Sequence, residues 1–261
     1  MTATLVPALA SGGLVGFSLG LVGGGGSILA TPLLLYVVGV ASPHIAIGTS
    51  ALAVSINAYA NLLAHARKGH VRWLCAAVFA AAGTLGALLG SSLGLVVDGT
   101  RLLLLFGVLM AVVGLLMLRP RGLGRGEEQP VDRRTCALTA AAALATGMAS
   151  GFFGIGGGFL IVPALVLATG MPMINAIGSS LLAVGTFGLA TALNYARSGL
   201  VDWGIAGQFI SGGVLGGILG MLLATRLSAG KATLNRIFAA LILTVATYVI
   251  FKNFPATIAF G

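Results

Sequence analysis

Two runs of glycine interrupt apolar sequence where a plain spanning helix has no use for them. They are Val22-Gly-Gly-Gly-Gly-Ser27 and, half a chain later, Phe153-Gly-Ile-Gly-Gly-Gly158. Glycine costs about 1 kcal/mol against alanine in a helix interior, so a doubled run implies that the backbone itself is used. A helix that breaks there and restarts near Ser27, or near Gly158, presents unpaired N–H groups and a positive dipole end. That is the chemistry of an anion site. Gly24, Gly25, Gly26 and Ser27, with Gly156, Gly157 and Gly158, are the candidate backbone donors. Close helix packing through small residues is the competing reading. It accounts well for Gly83, Gly86, Gly90, Gly213, Gly216 and Gly220, and poorly for four adjacent glycines.

Hydroxyls and amides supply a second set of candidates. Ser42-Pro43 opens a helix with an N-cap and an N1 proline, and Pro172 repeats the device. About a turn and a half inside come Gly48-Thr-Ser50 and Gly178-Ser-Ser180. Thr49, Ser50, Ser179 and Ser180 can donate to an anion or bond back to their own helix, the commoner fate of a single hydroxyl. Asn57 and Asn61 share a helical face with Ser50. In the second half Ser180 and Thr191 keep this stripe while Phe187 interrupts it. Asparagine is costly in lipid, so the stripe lines either a cavity or a helix contact.

The missing chemistry is equally informative. All five acidic residues (Asp98, Glu127, Glu128, Asp132 and Asp202) fall in loops or at span ends, leaving no deep carboxylate to bind Na⁺ or relay protons. His44, His65 and His70 also lie near span ends, where they either sense pH or, the commoner case, serve at the interface. Arg67 and Arg197 occupy matched span ends and serve either to attract anions or to anchor the chain. Cys75 and Cys136 have no paired spacing and read as small apolar fillers. No metal site, cofactor or catalytic acid–base pair is expected, which argues against a membrane-embedded enzyme.

The elements holding these residues are set by composition. Of 261 residues, 58% are hydrophobic and 7% charged, against roughly 25% charged in soluble domains. Apolar runs long enough to cross a bilayer recur throughout. The expected class is an all-α polytopic integral membrane protein of the cell (inner) membrane, with the lipid bilayer and a small anion as partners and a homodimer plausible at this size. The net charge of +9 does not point to nucleic acid, because the basic residues sit in short loops that set orientation. The N-terminal run has no positive n-region and does not read as a cleaved signal peptide.

The two halves also align. Gly20-Leu-Val-Gly23 matches Gly151-Phe-Phe-Gly154, Pro32 matches Pro163, and Ala46-Ile-Gly-Thr-Ser50 matches Ala176-Ile-Gly-Ser-Ser180. Arg67, Gly69, Val71 and Trp73 then fall on Arg197, Gly199, Val201 and Trp203. This divides the chain into a membrane repeat over 1–118, a charged cytoplasmic linker over 119–134 and a second repeat over 135–261. Basic residues gather at His65–Arg72 and in the linker, but in the second repeat they move from the matching loop to Arg226, Lys231 and Arg236. An odd number of crossings per repeat, hence inverted copies, fits that shift. Segments 27–40 and 159–170 are short for a roughly 30 Å core, which predicts a break near mid-depth and either a re-entrant hairpin or short tilted spans. Read instead as continuous broken helices, they give eight spans and parallel copies.

At Gly23–Pro32, Gly48-Thr-Ser50, Gly154–Pro163 and Gly178-Ser-Ser180 the chain resembles the TauE/SafE family of membrane transporters. The resemblance covers nearly the whole length and rests on the doubled order of motifs that are individually simple. It implies transport of small sulfur-containing anions, such as sulfite, sulfoacetate or other organosulfonates, and a fold of about eight spans. The halves differ where Gly24 and Ser27 stand against Ile155 and Gly158. Alternating access between the two repeats is the expected mechanism. An anion channel or uniporter, or a structural membrane subunit, is the alternative.

Overall fold

The computed structural model describes residues 2–118, 133–154, 158–226 and 242–253, which are helical almost throughout. Helix α1 (Thr2–Val22) stops at Gly23, whose φ of +72° suits glycine alone. The glycine run then forms a 3₁₀ segment, Gly23–Leu29, that passes straight into α2 (Ala30–Leu33) and a π turn over Leu34–Val38. Next come α3 (Pro43–Arg67), α4 (Trp73–Val96) and α5 (Gly99–Leu118). The second half holds α6 (Arg133–Phe153), α7 (Gly158–Thr169), α8 (Met173–Arg197), α9 (Trp203–Arg226) and α10 (Ile242–Asn253). Residues 119–132 of the linker lie outside the described residues.

Among the described residues five helices are long and apolar enough to cross a membrane: Thr4–Leu21, Pro43–Arg67, Trp73–Val96, Ile174–Arg197 and Trp203–Leu223. Their outward faces carry Leu74, Leu85, Leu89 and Leu93 on α4, and Leu215, Leu219 and Leu222 on α9. Large apolar residues pointing outward are what a lipid solvent requires. The protein is an all-α, multi-pass membrane protein.

Sequence signals explain where the central helices begin. Pro43 takes the N1 position of α3 behind Ser42, whose backbone is extended but whose side chain makes no cap bond. In α8 the proline sits one place earlier than expected, with Pro172 itself at the N-cap. Both helices end in a loop closed by a left-handed glycine, Gly69 at φ +70° and Gly199 at φ +71°.

The packing alternates between the halves. α1 lies along α9, and α6 lies along α4. Both pairs run parallel through glycine faces: a Cβ on Gly12 or Gly16 would run into the backbone of Phe209 or Gly213, and one on Gly86 or Gly90 into that of Leu144 or Met148. Close approach of backbones is how helices associate when lipid removes the hydrophobic drive. At the centre α3 and α8 cross antiparallel. Ser55 donates to the Gly185 carbonyl at 2.6 Å, and Gly188 lies on Ala51 and Ser55. α3 runs with α9, since Asn57 meets Gly213 and Asn61 meets Gly217. Hence α1 and α3 point the same way, and residues 23–38 must return across the bundle between them. α7 makes the corresponding return between α6 and α8.

Candidate functional site

The two glycine breaks fall at opposite ends of the central pair rather than together at mid-depth. Gly23 packs on Ile177 near the start of α8, whereas Gly154, at φ +65°, packs on Ile47 near the start of α3. With Ser55 and Gly185 at one level, the two breaks are separated by roughly 24 Å along the helix axes at 1.5 Å per residue. A shared cradle of both glycine runs is therefore not what the fold builds. The first run also differs from a gap closed near Ser27. The chain restarts at Gly23, Gly24 and Gly25 belong to the 3₁₀ turn, Gly26 packs on Ser18 and Leu19, and Ser27 is fully buried. In the second half Gly156 and Gly157 lie outside the described residues, and α7 is described from Gly158. The 3₁₀ segment packs on α7, so the two return segments meet inside the bundle.

The Gly-Thr-Ser and Gly-Ser-Ser motifs act as docking points. The loop leaving α3 seats its His70 carbonyl against Gly178, and Arg72 N–H donates to Ser179 Oγ at 2.9 Å. The loop leaving α8 does the same at the far end. Its Leu200 carbonyl lies against Gly48, and Asp202 N–H donates to Thr49 Oγ1 at 3.0 Å. Glycine lets the carbonyl approach, and the next hydroxyl accepts the N–H two residues further on. Thr49 and Ser179 are thereby committed to holding α3 and α8 head to tail.

That leaves the third residue of each motif. Ser180 bonds back to Ile177 O at 2.8 Å. Ser50 also reaches Ile47 O at 2.9 Å, but it does more: its Oγ lies 2.9 Å from Thr31 Oγ1 and 3.5 Å from the Gly154 carbonyl. Ser50 and Thr31 are almost wholly buried. This hydroxyl pair joins the return segment of the first half, the central helix α3 and the break of the second half. Thr31 was not among the sequence candidates. Its only signal is a lone hydroxyl beside Pro32 in the return segment, and the aligned position in the second half is Val162.

The Asn57–Asn61 stripe resolves as a helix contact. Asn57 lies on Gly213, and Asn61 lies on Gly217 and Gly20 while its amide donates to Asn57 O at 2.9 Å. Both amide atoms of Asn57 are buried without a hydrogen-bond partner. In the second half Phe187 fills the place of Asn57, over Gly83, and stacks on Phe79 at 6.3 Å. Thr191 is fully buried and its hydroxyl has no partner. His65, expected at an interface, is instead buried in the last turn of α3, with the His70 ring 6.0 Å away. Sequence position beside a basic loop concealed that burial.

Comparison with known proteins gives a consistent picture. A family model described as sulfite exporter TauE/SafE matches residues 8–249. A protein of Xylella fastidiosa (strain 9a5c), described as a probable membrane transporter protein, is 66% identical over 257 residues, covering 98% of both chains. The probable membrane transporter protein YunE of Bacillus subtilis (strain 168) is 26% identical over 230 residues, covering 80% of this chain and 84% of its own. No solved structure matches.

Proposed function

The chain belongs to the sulfite exporter TauE/SafE family and is a membrane transporter rather than an enzyme, and from that premise we propose that its cargo is a small sulfur-containing oxyanion, sulfite or an organosulfonate. The observation that carries this reading is the buried Thr31–Ser50 hydroxyl pair beside the break at Gly154. Sulfite and sulfonates are weakly basic anions with three outward oxygens. They need several N–H and O–H donors and no fixed negative charge nearby. Burying such an ion without donors is costly. Two hydroxyls can rotate their protons toward it, as the chemistry of such an ion requires. The described carboxylates, Asp98 and Asp202, both belong to loops.

The route is alternating access. Two inverted repeats, 1–118 and 135–261, fit the antiparallel crossing of α3 on α8 and the reciprocal pairing of α1 with α9 and α6 with α4. The loop after α3 carries Arg67, Lys68 and Arg72 and faces the cytoplasm in this arrangement, while the loop after α8 faces outward. Each glycine break then lies toward a different side of the membrane.

The test is counterflow in proteoliposomes with labelled sulfite, sulfoacetate and methanesulfonate. Saturable counterflow of at least one, weakened by Ser50→Ala and Thr31→Val, is expected. Absence of flux for every anion, with correctly folded protein, refutes the cargo. Normal flux in both variants refutes the site.

A further inference from the structure

His65 is the one imidazole among the described residues held inside the bundle, at 3% exposure. It stands at the last turn of α3, and its ring faces the Gly20 backbone near the end of α1, outside hydrogen-bonding geometry. Neither ring nitrogen has a partner. One turn away Asn61 touches Gly20, and three residues after Gly20 the chain breaks at Gly23.

Among the described residues no carboxylate lies beside His65. On its own loop, His70 is 6.0 Å away ring to ring with a buried, unpartnered Nδ1, and Lys68 adds positive charge from the exposed surface beside Arg67 and Arg72. From α8 come Ile177 against Gly23 and Gly178 against the His70 carbonyl, and from α9 the backbone of Gly217 and Met221 beside Gly20. Both described carboxylates sit at the other end of α3: Asp202 docks on Thr49, and Gly99, next to Asp98, packs on Pro43. A proton on His65 therefore adds a buried charge with no counter-charge among the described residues, relieved there by the terminal carbonyls of α1. An anion arriving at the break supplies what is missing. Proton and anion then favour each other, and such linkage is reciprocal.

We propose that the end of the pathway beside Gly23 is a proton-linked anion position, with His65 as the group that binds the proton. The imidazole takes one proton from the aqueous side as the anion enters and returns it as the anion leaves. The aligned position in the second half is Tyr195, also fully buried, and a phenol does not exchange protons near neutral pH. The coupling is thus built into one end only. The inference rests on the transporter reading above.

Proteoliposomes test it with the anion that shows strongest counterflow among sulfite, sulfoacetate and methanesulfonate, protein-free vesicles giving the baseline. With one proton per monovalent anion, a pH difference of one unit drives accumulation of up to about tenfold in the wild type. His65→Gln should lose the accumulation and bind the anion more weakly at equal pH, with saturable counterflow still measurable at raised anion concentration, because the proton that favours the anion is gone. Equal accumulation by His65→Gln and wild type overturns the proposal, as does wild-type counterflow without any response to the pH difference. If His65→Gln does not fold, His65→Tyr, which copies the other half, and dye-reported proton entry decide. Proton entry that persists in His65→Tyr, or is missing in wild type, overturns it. No counterflow of any anion by wild type removes the cargo reading and this inference together.

Discussion

Thr49→Val separates a docking hydroxyl from a substrate ligand. Thr49 Oγ1 accepts the Asp202 N–H at 3.0 Å where the loop leaving α8 seats on α3. Valine keeps the shape and removes the acceptor, leaving a backbone N–H unpaired at a tightly packed junction, which costs about 1–3 kcal/mol. At about 2–4 °C per kcal/mol for a chain of this size, the melting temperature should fall by about 2–12 °C. Thr49→Ser keeps the acceptor and should lose less than half of that. The matched bond, Arg72 N–H to Ser179 Oγ at 2.9 Å, lies roughly 18 Å away along the pair. The loss in Thr49→Val/Ser179→Ala should therefore equal the sum of the single losses to within about 0.5 kcal/mol. Trp73 and Trp203 begin the helices that directly follow the two docked loops, so fluorescence melting in single-tryptophan variants reads each junction separately. An unchanged melting temperature together with a raised half-saturating anion concentration would refute the docking assignment and return Thr49 to the substrate path.

Three further outcomes follow from the same geometry. Single cysteines at Lys68 and Ser198, both exposed, introduced after replacing Cys75 and Cys136, should label from opposite sides of the membrane with an impermeant maleimide; labelling from one side ends the inverted arrangement. Ser50→Ala and Thr31→Val should each raise the half-saturating anion concentration about 2- to 13-fold, the equivalent of about 0.5–1.5 kcal/mol for one hydrogen bond, read in protein that remains folded at the assay temperature. Gly213→Ala drives a methyl into the Asn57 amide and should destabilise by about 1–3 kcal/mol. Adding Asn57→Ala should recover most of that loss in thermal unfolding, and no recovery would mean that the backbone rather than the amide sets the limit.

The sequence made the helices and their order readable because hydropathy, prolines and the repeated Arg-Gly-Val-Trp register are local signals. The start of α3 at Pro43 falls where expected. Depth was another matter. The short segments behind the glycines suggested a mid-membrane break, but a returning segment can begin near one face and still be short, and Gly23 and Gly154 turn near opposite ends. Whether Thr49 faces a cavity or a loop depends on a residue more than a hundred positions away, which no window of sequence contains. Asn57 was undecidable for the same reason, since its partner is the backbone of Gly213. His65 is hard to place from sequence because a charged loop follows it immediately, whereas the end of α1 at Gly20 lies beside it in the fold.

The pairing of α1 with α9 also has a temporal side. Roughly 180 residues separate the end of the first helix from the start of its partner, about 10–40 s of translation at ordinary rates of about 5–20 residues per second. During that interval the glycine face of α1 is in the bilayer without the surface it was shaped for, exposed to other nascent helices with similar faces. α6 has no such wait, because α4 is already made when it emerges. Assembly is therefore lopsided: the second half can dock as it is synthesised, whereas the first helix is held in reserve until nearly the whole chain is in the membrane. Truncation before Trp203 should leave α1 as the element that quality-control proteases find first.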